Sequence, residues 1–151
     1  MTKVWGPCTW FLFHTLAEKI KEEEFINTKQ KILSFIANIC YNLPCPECAQ
    51  HARSKIGTLN ANNIKTKRDL QLMLLSFHNF VNQRTGKPQF TEKQLDEKYK
   101  KAITSHVIQY FLQIWQKPNP NPRMMTNSLH KGQVLKDFTS WWSVNHHLFN
   151  P

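Results

Sequence analysis

Apolar residues recur every three or four positions along most of this chain, which is the spacing of amphipathic α-helices. The first such segment covers 9–21 and the second covers 27–41. A third helix is expected to begin at Pro46, because proline suits the first turn of a helix, and to end at Gly57. The chain therefore opens with three predicted helices joined by short connections.

The second half continues the pattern less regularly. A fourth helix is predicted over 66–84, and a fifth begins near Thr91 with an apolar spacing that can be followed to Trp115. The proline-rich stretch 117–122 breaks any helix and is typical of an extended linker. A last apolar set at 134–148 includes two adjacent tryptophans, which we expect to pack on the core or on a partner chain.

No convincing pair of strands and no internal repeat accompanies these helices. The predicted fold class is all-α, with an antiparallel bundle at its core and a helical, tryptophan-rich C-terminal extension. With 151 residues and 40% hydrophobic content, the chain is long enough for one ordinary core. No apolar run is long enough to span a membrane, and no signal peptide is recognised, so a cytoplasmic location is expected.

The formal net charge is +10, which raises the question of a nucleic-acid partner. The lysines are scattered, however, and no run of five basic residues occurs. Solvated helix faces explain such a pattern better than a nucleic-acid surface does.

Two thiols, Cys45 and Cys48, form a CxxC pair at the predicted start of the third helix. Such a pair can close into a redox disulfide or supply half of a metal site. Unpaired N–H groups and the dipole at a helix start stabilise a thiolate, which favours redox chemistry. A thioredoxin-type site would need a parallel sheet, and a c-type haem site would need histidine where this chain has Ala49.

A structural zinc site is the main alternative, and it would make the chain a zinc-stapled helical binding module. Its candidate ligands are Cys40, Cys45, Cys48 and His51, which lie within twelve residues. Cys40, however, falls on the apolar face of the second helix and reads more simply as a small buried residue. A core of this size also needs no metal staple.

Four elements occur together in a recognisable order along the chain. They are Trp5-Gly6 with Trp10 and His14, then Cys45-Pro46-Glu47-Cys48-Ala49, then His78-Asn79-Phe80-Val81-Asn82 running into Gly86-Lys87-Pro88 and Phe90, and finally Tyr99. This combination resembles the ERV/ALR family of FAD-linked sulfhydryl oxidases, and the resemblance covers about two thirds of the chain. The short length and the Asn/Lys/Ile-rich composition resemble the members encoded by large DNA viruses.

The resemblance implies a four-helix bundle that holds FAD, with a short fifth helix beside it. It also implies a division into an oxidase domain, 1–103, and a C-terminal extension, 104–151. The implied catalytic residues are Cys45 and Cys48. The implied cofactor-binding residues are Gly6, Trp10, His14, Cys48, His78, Asn79, Val81, Asn82, Lys87, Phe90 and Tyr99, where Tyr99 replaces the tryptophan of many relatives.

By the same resemblance, two substrate thiols are oxidised to a disulfide while O2 is reduced to H2O2. Cys45 would form the mixed disulfide with a protein substrate, and Cys48 would pass the electrons to FAD. The family also commonly dimerises through its first two helices. Many relatives carry a second, shuttle disulfide on the tail, but 104–151 contains no cysteine here. Substrates would then reach Cys45 directly or through the CxxC of a relay protein.

Cys8 and Cys40 are the remaining thiols. If the first two helices form an antiparallel hairpin, the start of one lies beside the end of the other, and a disulfide between these cysteines is a hypothesis. Two buried free thiols are the favoured interpretation.

Overall fold

The computed structural model describes residues 2–117 and 125–151, with side chains described over 5–117 and 130–151. These residues form seven α-helices and no β-strand, so the all-α prediction is confirmed. The helices are α1 Thr2–Lys19, α2 Phe25–Tyr41, α3 Pro46–Gly57, α4 Lys67–Thr85, α5 Glu92–Lys100, α6 Thr104–Trp115 and α7 Met125–Asn145. Short 3-10 turns cover Glu22–Glu24, Ala61–Asn63 and His146–Leu148.

Helix α4 begins and ends where the sequence predicts, and local chemistry explains both ends. The Thr66 hydroxyl accepts the Asp69 N–H at 3.0 Å, and the Asp69 carboxylate accepts the Thr66 N–H at 3.1 Å. This reciprocal capping satisfies N–H groups that the first turn leaves unpaired. At the other end Gly86 has φ of 72°, a left-handed conformation that glycine adopts without steric cost.

Helix α1 begins at Thr2, so the predicted start at residue 9 is wrong. Pro7 lies inside the helix, where it removes one backbone donor. The carbonyl of Trp5 in this turn accepts the Thr9 hydroxyl at 2.6 Å and the Cys8 thiol at 3.2 Å. The helix nevertheless runs continuously through Gly6 and Pro7, so these residues do not delay its start.

The core centres on α1, which packs chiefly against α6 and α4, while α2 packs against α3 and α7. The largest fully buried side chains include Leu12, Phe13, Phe25, Phe111 and Phe138. A buried hydrogen bond from the Trp115 indole N–H to the Thr9 hydroxyl, 2.8 Å long, joins α6 to α1. The extension beyond residue 103 is therefore part of the same packed core.

A break at 101–103 separates α5 from α6, although the apolar spacing runs through it. The end of the chain lies at this break. The Thr104 N–H donates to the Pro151 carbonyl at 3.0 Å, and the Thr104 hydroxyl donates to the Asn150 carbonyl at 2.7 Å. The same segment reaches α1, where the Asn150 N–H donates to the Lys19 carbonyl at 2.6 Å. The C-terminal residues thus tie the start of α6 to the end of α1.

The tryptophan-rich tail packs back on the bundle, as one of the two sequence-based interpretations requires. On α7, the Phe138 ring meets Phe35 of α2 edge to face, with centroids 5.1 Å apart, and Trp141 lies 5.4 Å from the same ring. The predicted linker 117–122 falls almost entirely on residues outside the described ranges. Among the described helices, none is long and apolar enough to cross a bilayer.

Candidate active site

The CxxC pair lies where α2 gives way to α3. Cys45 is the N-cap of α3, and Pro46 occupies the first helical position, where its missing N–H costs nothing. The Cys45 sulfur accepts the Cys48 N–H at 3.2 Å. The helix start therefore directs a backbone donor at the Cys45 sulfur, in the place that an N-cap oxygen usually fills.

Cys48 differs from Cys45 in its surroundings, because it packs against the main hydrophobic core. Burial raises the pKa of the Cys48 thiol to about 12, with further contributions from Cys45 and Glu47, while Arg84 acts in the opposite direction. The sequence predicts that the helix start stabilises a thiolate at this pair, and for Cys48 burial acts in the opposite direction. The Cys48 N–H donates to the Cys45 sulfur, and the neutral form of Cys48 is favoured by its partial burial.

Cys8 and Cys40 are both buried and both free, which agrees with the favoured interpretation of two separate thiols. Burial raises the pKa of Cys8 to about 11 and that of Cys40 to about 12. Inert, buried thiols of this kind behave as small apolar side chains.

A second group of predicted site residues lies between α1, α4 and α5; we call it the ring cluster, and it consists of Trp10, His14, His78, Phe90 and Tyr99. Trp10 stacks on His78 with ring centroids 4.2 Å apart and planes 5° from parallel. His14 stacks on Tyr99 at 4.7 Å, and Phe90 lies 5.3 Å from His78. Five predicted site residues, spread over ninety positions, are therefore neighbours in space.

Both histidines of the ring cluster are held neutral. Burial lowers the pKa of His14 to about 3, and the charge of His78 and that of Lys98 add to this effect. Burial likewise lowers the pKa of His78 to about 4, with help from Lys98 and Lys87. His14 Nε2 and His78 Nδ1 share a buried hydrogen bond of 2.9 Å, while His14 Nδ1 is buried without a protein partner.

Asn79 fixes the loop that carries Phe90. Its side-chain N–H donates to the Phe90 carbonyl at 2.9 Å, and its side-chain carbonyl accepts the Phe90 N–H at 2.8 Å. These two bonds resemble the hydrogen bonding between paired β-strands, and they hold the Phe90 ring next to His78. The predicted bond from Asn79 to the cofactor remains a prediction, and the observed role of the residue is to position a neighbour.

The remaining predicted residues differ in their burial. Asn82 is buried, and its backbone carbonyl accepts the Lys87 backbone N–H at 2.8 Å. Val81 packs half-buried against the core, and Lys87 is exposed. Gly6 lies in α1, and a Cβ atom at this position would meet open space. Close approach of another part of the chain therefore does not explain why this residue is glycine.

Two further residues lie beside the predicted site residues, although the sequence did not single them out for the site. Lys98 places its ammonium 5.3–5.4 Å from the rings of Phe11, Phe90 and Tyr99. His51, considered only as a zinc ligand, stands one turn after Cys48 on α3 with a buried, unpartnered Nδ1. His51 could have been found from its helical spacing to Cys48, whereas no sequence signal marks Lys98.

The side-chain types gathered here match the chemical groups of FAD. Stacked planar rings suit a planar heteroaromatic group, and the unpartnered Nδ1 atoms of His14 and His51 could pair with its polar edges. Lys87 and Lys98 provide positive charge next to the ring cluster, as a pyrophosphate requires. Over the described residues, no three His, Cys, Asp or Glu side chains gather in a group that could hold a metal ion.

Comparison with known proteins shows the family to which the chain belongs. Residues 7–100 match the family model described as "Erv1 / Alr family". The chain belongs to the Erv1/Alr family. The match contains the CxxC pair and the whole ring cluster, whereas α6 and α7 lie beyond it.

Curated members of the Erv1/Alr family resemble this chain over the same region. A protein of Invertebrate iridescent virus 3 is 33% identical over 99 residues, which are 65% of this chain and 67% of that protein. The FAD-linked sulfhydryl oxidase of African swine fever virus is 29% identical over 66% of this chain and 82% of its own length. The FAD-linked sulfhydryl oxidase ERV1 of Oryza sativa subsp. japonica is 30% identical over 64% of this chain and 49% of its own length. No solved structure matches significantly.

Proposed function

We propose that this protein is a FAD-linked sulfhydryl oxidase that forms disulfide bonds in thiol-containing proteins. Its family membership supports the activity and the cofactor. The observation that carries the proposal is the coexistence of a CxxC pair capping α3 with the stacked ring cluster between α1 and α4. A binding module would have no use for that combination.

The Cys45–Cys48 pair carries the thiol chemistry. A substrate thiolate attacks the Cys45 sulfur of the oxidised pair, forms a mixed disulfide and releases Cys48 as the leaving thiolate. A second substrate thiolate then attacks the substrate sulfur of that mixed disulfide, which releases the substrate disulfide and leaves Cys45 reduced. Two electrons have now moved from the substrate to the pair, and one disulfide has broken for each one formed.

The surroundings of each sulfur suit these separate roles. Cys45 is the N-cap residue at the start of α3, and its sulfur accepts the Cys48 N–H. Cys48 packs against the core, toward the interior of the bundle. When bound, FAD would supply an acceptor for the two electrons of the reduced pair and a site for the reduction of O2, so that two thiols and O2 would give a disulfide and H2O2 overall.

The ring cluster would hold the cofactor. Trp10, His14, His78, Phe90 and Tyr99 supply the stacking surfaces, and the neutral histidines can hydrogen bond without adding charge. Asn79 keeps Phe90 in place from the loop side. Additional contacts are proposed for Gly6, Val81, Asn82, Lys87 and Cys48.

Oxygen uptake with dithiothreitol tests this function. The wild-type protein is expected to be yellow and to consume O2, and both Cys45→Ser and Cys48→Ser are expected to abolish uptake. Cys8→Ser changes a buried cysteine that lies outside the proposed chemistry and serves as the matched control. A colourless protein that carries zinc, or full uptake by either CxxC variant, would contradict the proposal.

A homodimer formed through α1 and α2 also stays a proposal. Helix α7 covers the Phe35 side of α2, so a dimer has to use another part of that helix, such as the surface around Ile26, which is 68% exposed. Analytical ultracentrifugation of the full chain measures the assembly state.

Three further expectations remain predictions. They are a relay partner, the domain division at residue 103, and a cytoplasmic or virion location.

A further inference from the structure

Four residues of α3 and α4 form a continuous surface next to the redox pair; we call it the α3–α4 face, and it consists of Cys48, Lys55, Phe80 and Arg84. Cys48 and Lys55 lie two turns apart on one side of α3, and Phe80 and Arg84 lie one turn apart on α4. The Lys55 ammonium is 5.0 Å from the centre of the Phe80 ring. Arg84 is near enough to Cys48 for its charge to lower the pKa of that thiol, against the larger effect of burial.

The large apolar side chain of Phe80 is exposed to solvent. It is 40% exposed, while Phe77 one turn earlier on the same helix is 2% exposed and packs in the core. Lys55 is the cation that meets the ring of Phe80. An aromatic ring flanked by a cation is the kind of residue that anchors one protein on another, because it offers apolar area with little loss of rotamer freedom.

The charge around this face has one dominant sign. In the two segments that form it, residues 45–57 and 77–91, basic side chains outnumber acidic ones by four to one. The basic residues are Arg53, Lys55, Arg84 and Lys87, and the acidic one is Glu47. Such a surface attracts an acidic partner and steers its approach.

We propose that the α3–α4 face docks the protein substrate, by receiving an acidic segment whose apolar side chain covers Phe80 while its thiol reaches Cys45. The proposal rests on the sulfhydryl oxidase function proposed above and names the chemistry of its substrate. The tail 104–151 contains no cysteine, so no shuttle thiol in that tail can carry electrons to Cys45. In this proposal the substrate thiol meets the pair directly.

One docked protein is large enough to cover both the redox pair and the contact between Lys55 and Phe80. Seven residues of helix separate Cys48 from Lys55 by about 10 Å along the axis of α3. A typical protein interface covers about 800 Å² on each partner, which corresponds to a patch roughly 30 Å across. A substrate thiol at Cys45 and an acidic segment at Lys55 and Phe80 therefore fit within one ordinary contact.

Two CxxC peptides that differ only in flanking charge provide the test. Both carry a leucine, and one has aspartates where the other has lysines. Binding to the flavin-loaded protein is measured by fluorescence anisotropy with serine in place of both peptide cysteines, so the result does not depend on turnover. Dithiothreitol oxidation is measured separately, and its absence would contradict the oxidase function without deciding the docking.

The acidic peptide is expected to bind about tenfold or more tightly than the basic one, with a preference that falls as salt is added. Lys55→Glu is expected to reduce acidic-peptide affinity about tenfold, and Phe80→Ser is expected to weaken it at every salt concentration. Both variants should keep wild-type turnover of dithiothreitol. Lys93→Glu on α5 and Tyr110→Ser on α6 change exposed residues elsewhere and are the matched controls.

Three results would overturn the docking proposal. The first is equal affinity of the two peptides for the wild-type protein. The second is equal loss of acidic-peptide affinity in Lys55→Glu and Lys93→Glu. The third is displacement of the acidic peptide by a single-stranded oligonucleotide at equal charge concentration, with Phe80→Ser unaffected, since that would show a general polyanion surface.

Discussion

His14 Nε2 and His78 Nδ1 lie 2.9 Å apart in the protein interior, so that one hydrogen bond joins α1 to α4 across 64 residues of sequence. The bond needs one ring to donate and the other to accept, which requires at least one neutral imidazole. Burial lowers the pKa of both histidines well below neutrality, and the pair is uncharged at physiological pH. This pair fixes the planes on which Trp10 and Tyr99 stack.

The histidine pair predicts a specific acid sensitivity. Folded-state pKa values of about 3 and about 4 lie below the ordinary 6.5, so the unfolded chain binds protons first as the pH falls. The two histidines contribute to the free energy of unfolding because they stay neutral in the folded protein. This contribution is complete above pH 6.5, and it is lost as the pH falls toward 4 for His78 and toward 3 for His14. At pH 5 the loss is on the order of 2 kcal/mol for each histidine.

Urea unfolding of the wild type and of His14→Phe at pH 7 and pH 5 measures this effect. The variant should lose less stability than the wild type over the same interval, because it has one fewer histidine to protonate. Identical pH dependence of the two proteins would show that this pair does not control the acid response.

Lys98 should influence the same pair through its charge. Its ammonium lowers the pKa of both histidines, although burial is the larger cause. Lys98→Met is therefore expected to raise both pKa values, measured by NMR titration of the imidazole signals, while leaving them below 6.5. Lys93→Met is the control, and equal histidine pKa values in the two variants would contradict the assignment.

Asn79 should matter for stability through Phe90. Asn79→Ala removes two hydrogen bonds to the Phe90 backbone, each worth about 1 kcal/mol, so a loss of about 2 kcal/mol in unfolding free energy is expected. Gln83→Ala changes an exposed residue on the same helix and is the control. A loss no larger than that of the control would show that the two bonds add nothing.

The tail should be required for folding stability. Phe138 is fully buried and meets Phe35 and Phe111, so Phe138→Ala is expected to cost about 3–5 kcal/mol. Val144 on the same helix is 69% exposed, and Val144→Ala should stay within about 0.5 kcal/mol of the wild type. Chemical denaturation of both variants decides the matter, and equal stabilities would mean that α7 is not part of the core.

Local signals in the sequence were sufficient for the ends of α4 and for the facing of residues along α1 and α4. Thr66 and Gly86 mark the ends of α4 by chemistry that needs no distant partner. Trp10 and His14 lie one turn apart, as do His78 and Asn82, so each helix could be oriented from spacing alone. The resemblance then indicated that these helices face each other, and the contacts between their rings agree with it.

Long-range contacts decide what the sequence could not predict. The break before α6 is stabilised by carbonyls of Asn150 and Pro151, nearly fifty residues away, so the apolar spacing around residue 103 gives no warning of it. The raised pKa of Cys48 depends on packing against the core. Lys98 resembles any solvated lysine until α5 places it over three aromatic rings.

Anaerobic reduction of bound flavin by a dithiol tests most directly the claim that Cys45 and Cys48 convey electrons to FAD. The wild-type protein should lose its flavin absorption band on addition of dithiothreitol and regain it when O2 is admitted. Cys48→Ser should bind FAD and keep the band under the same conditions. Bleaching of Cys48→Ser at the wild-type rate, or a wild-type protein that binds no flavin, would contradict the account.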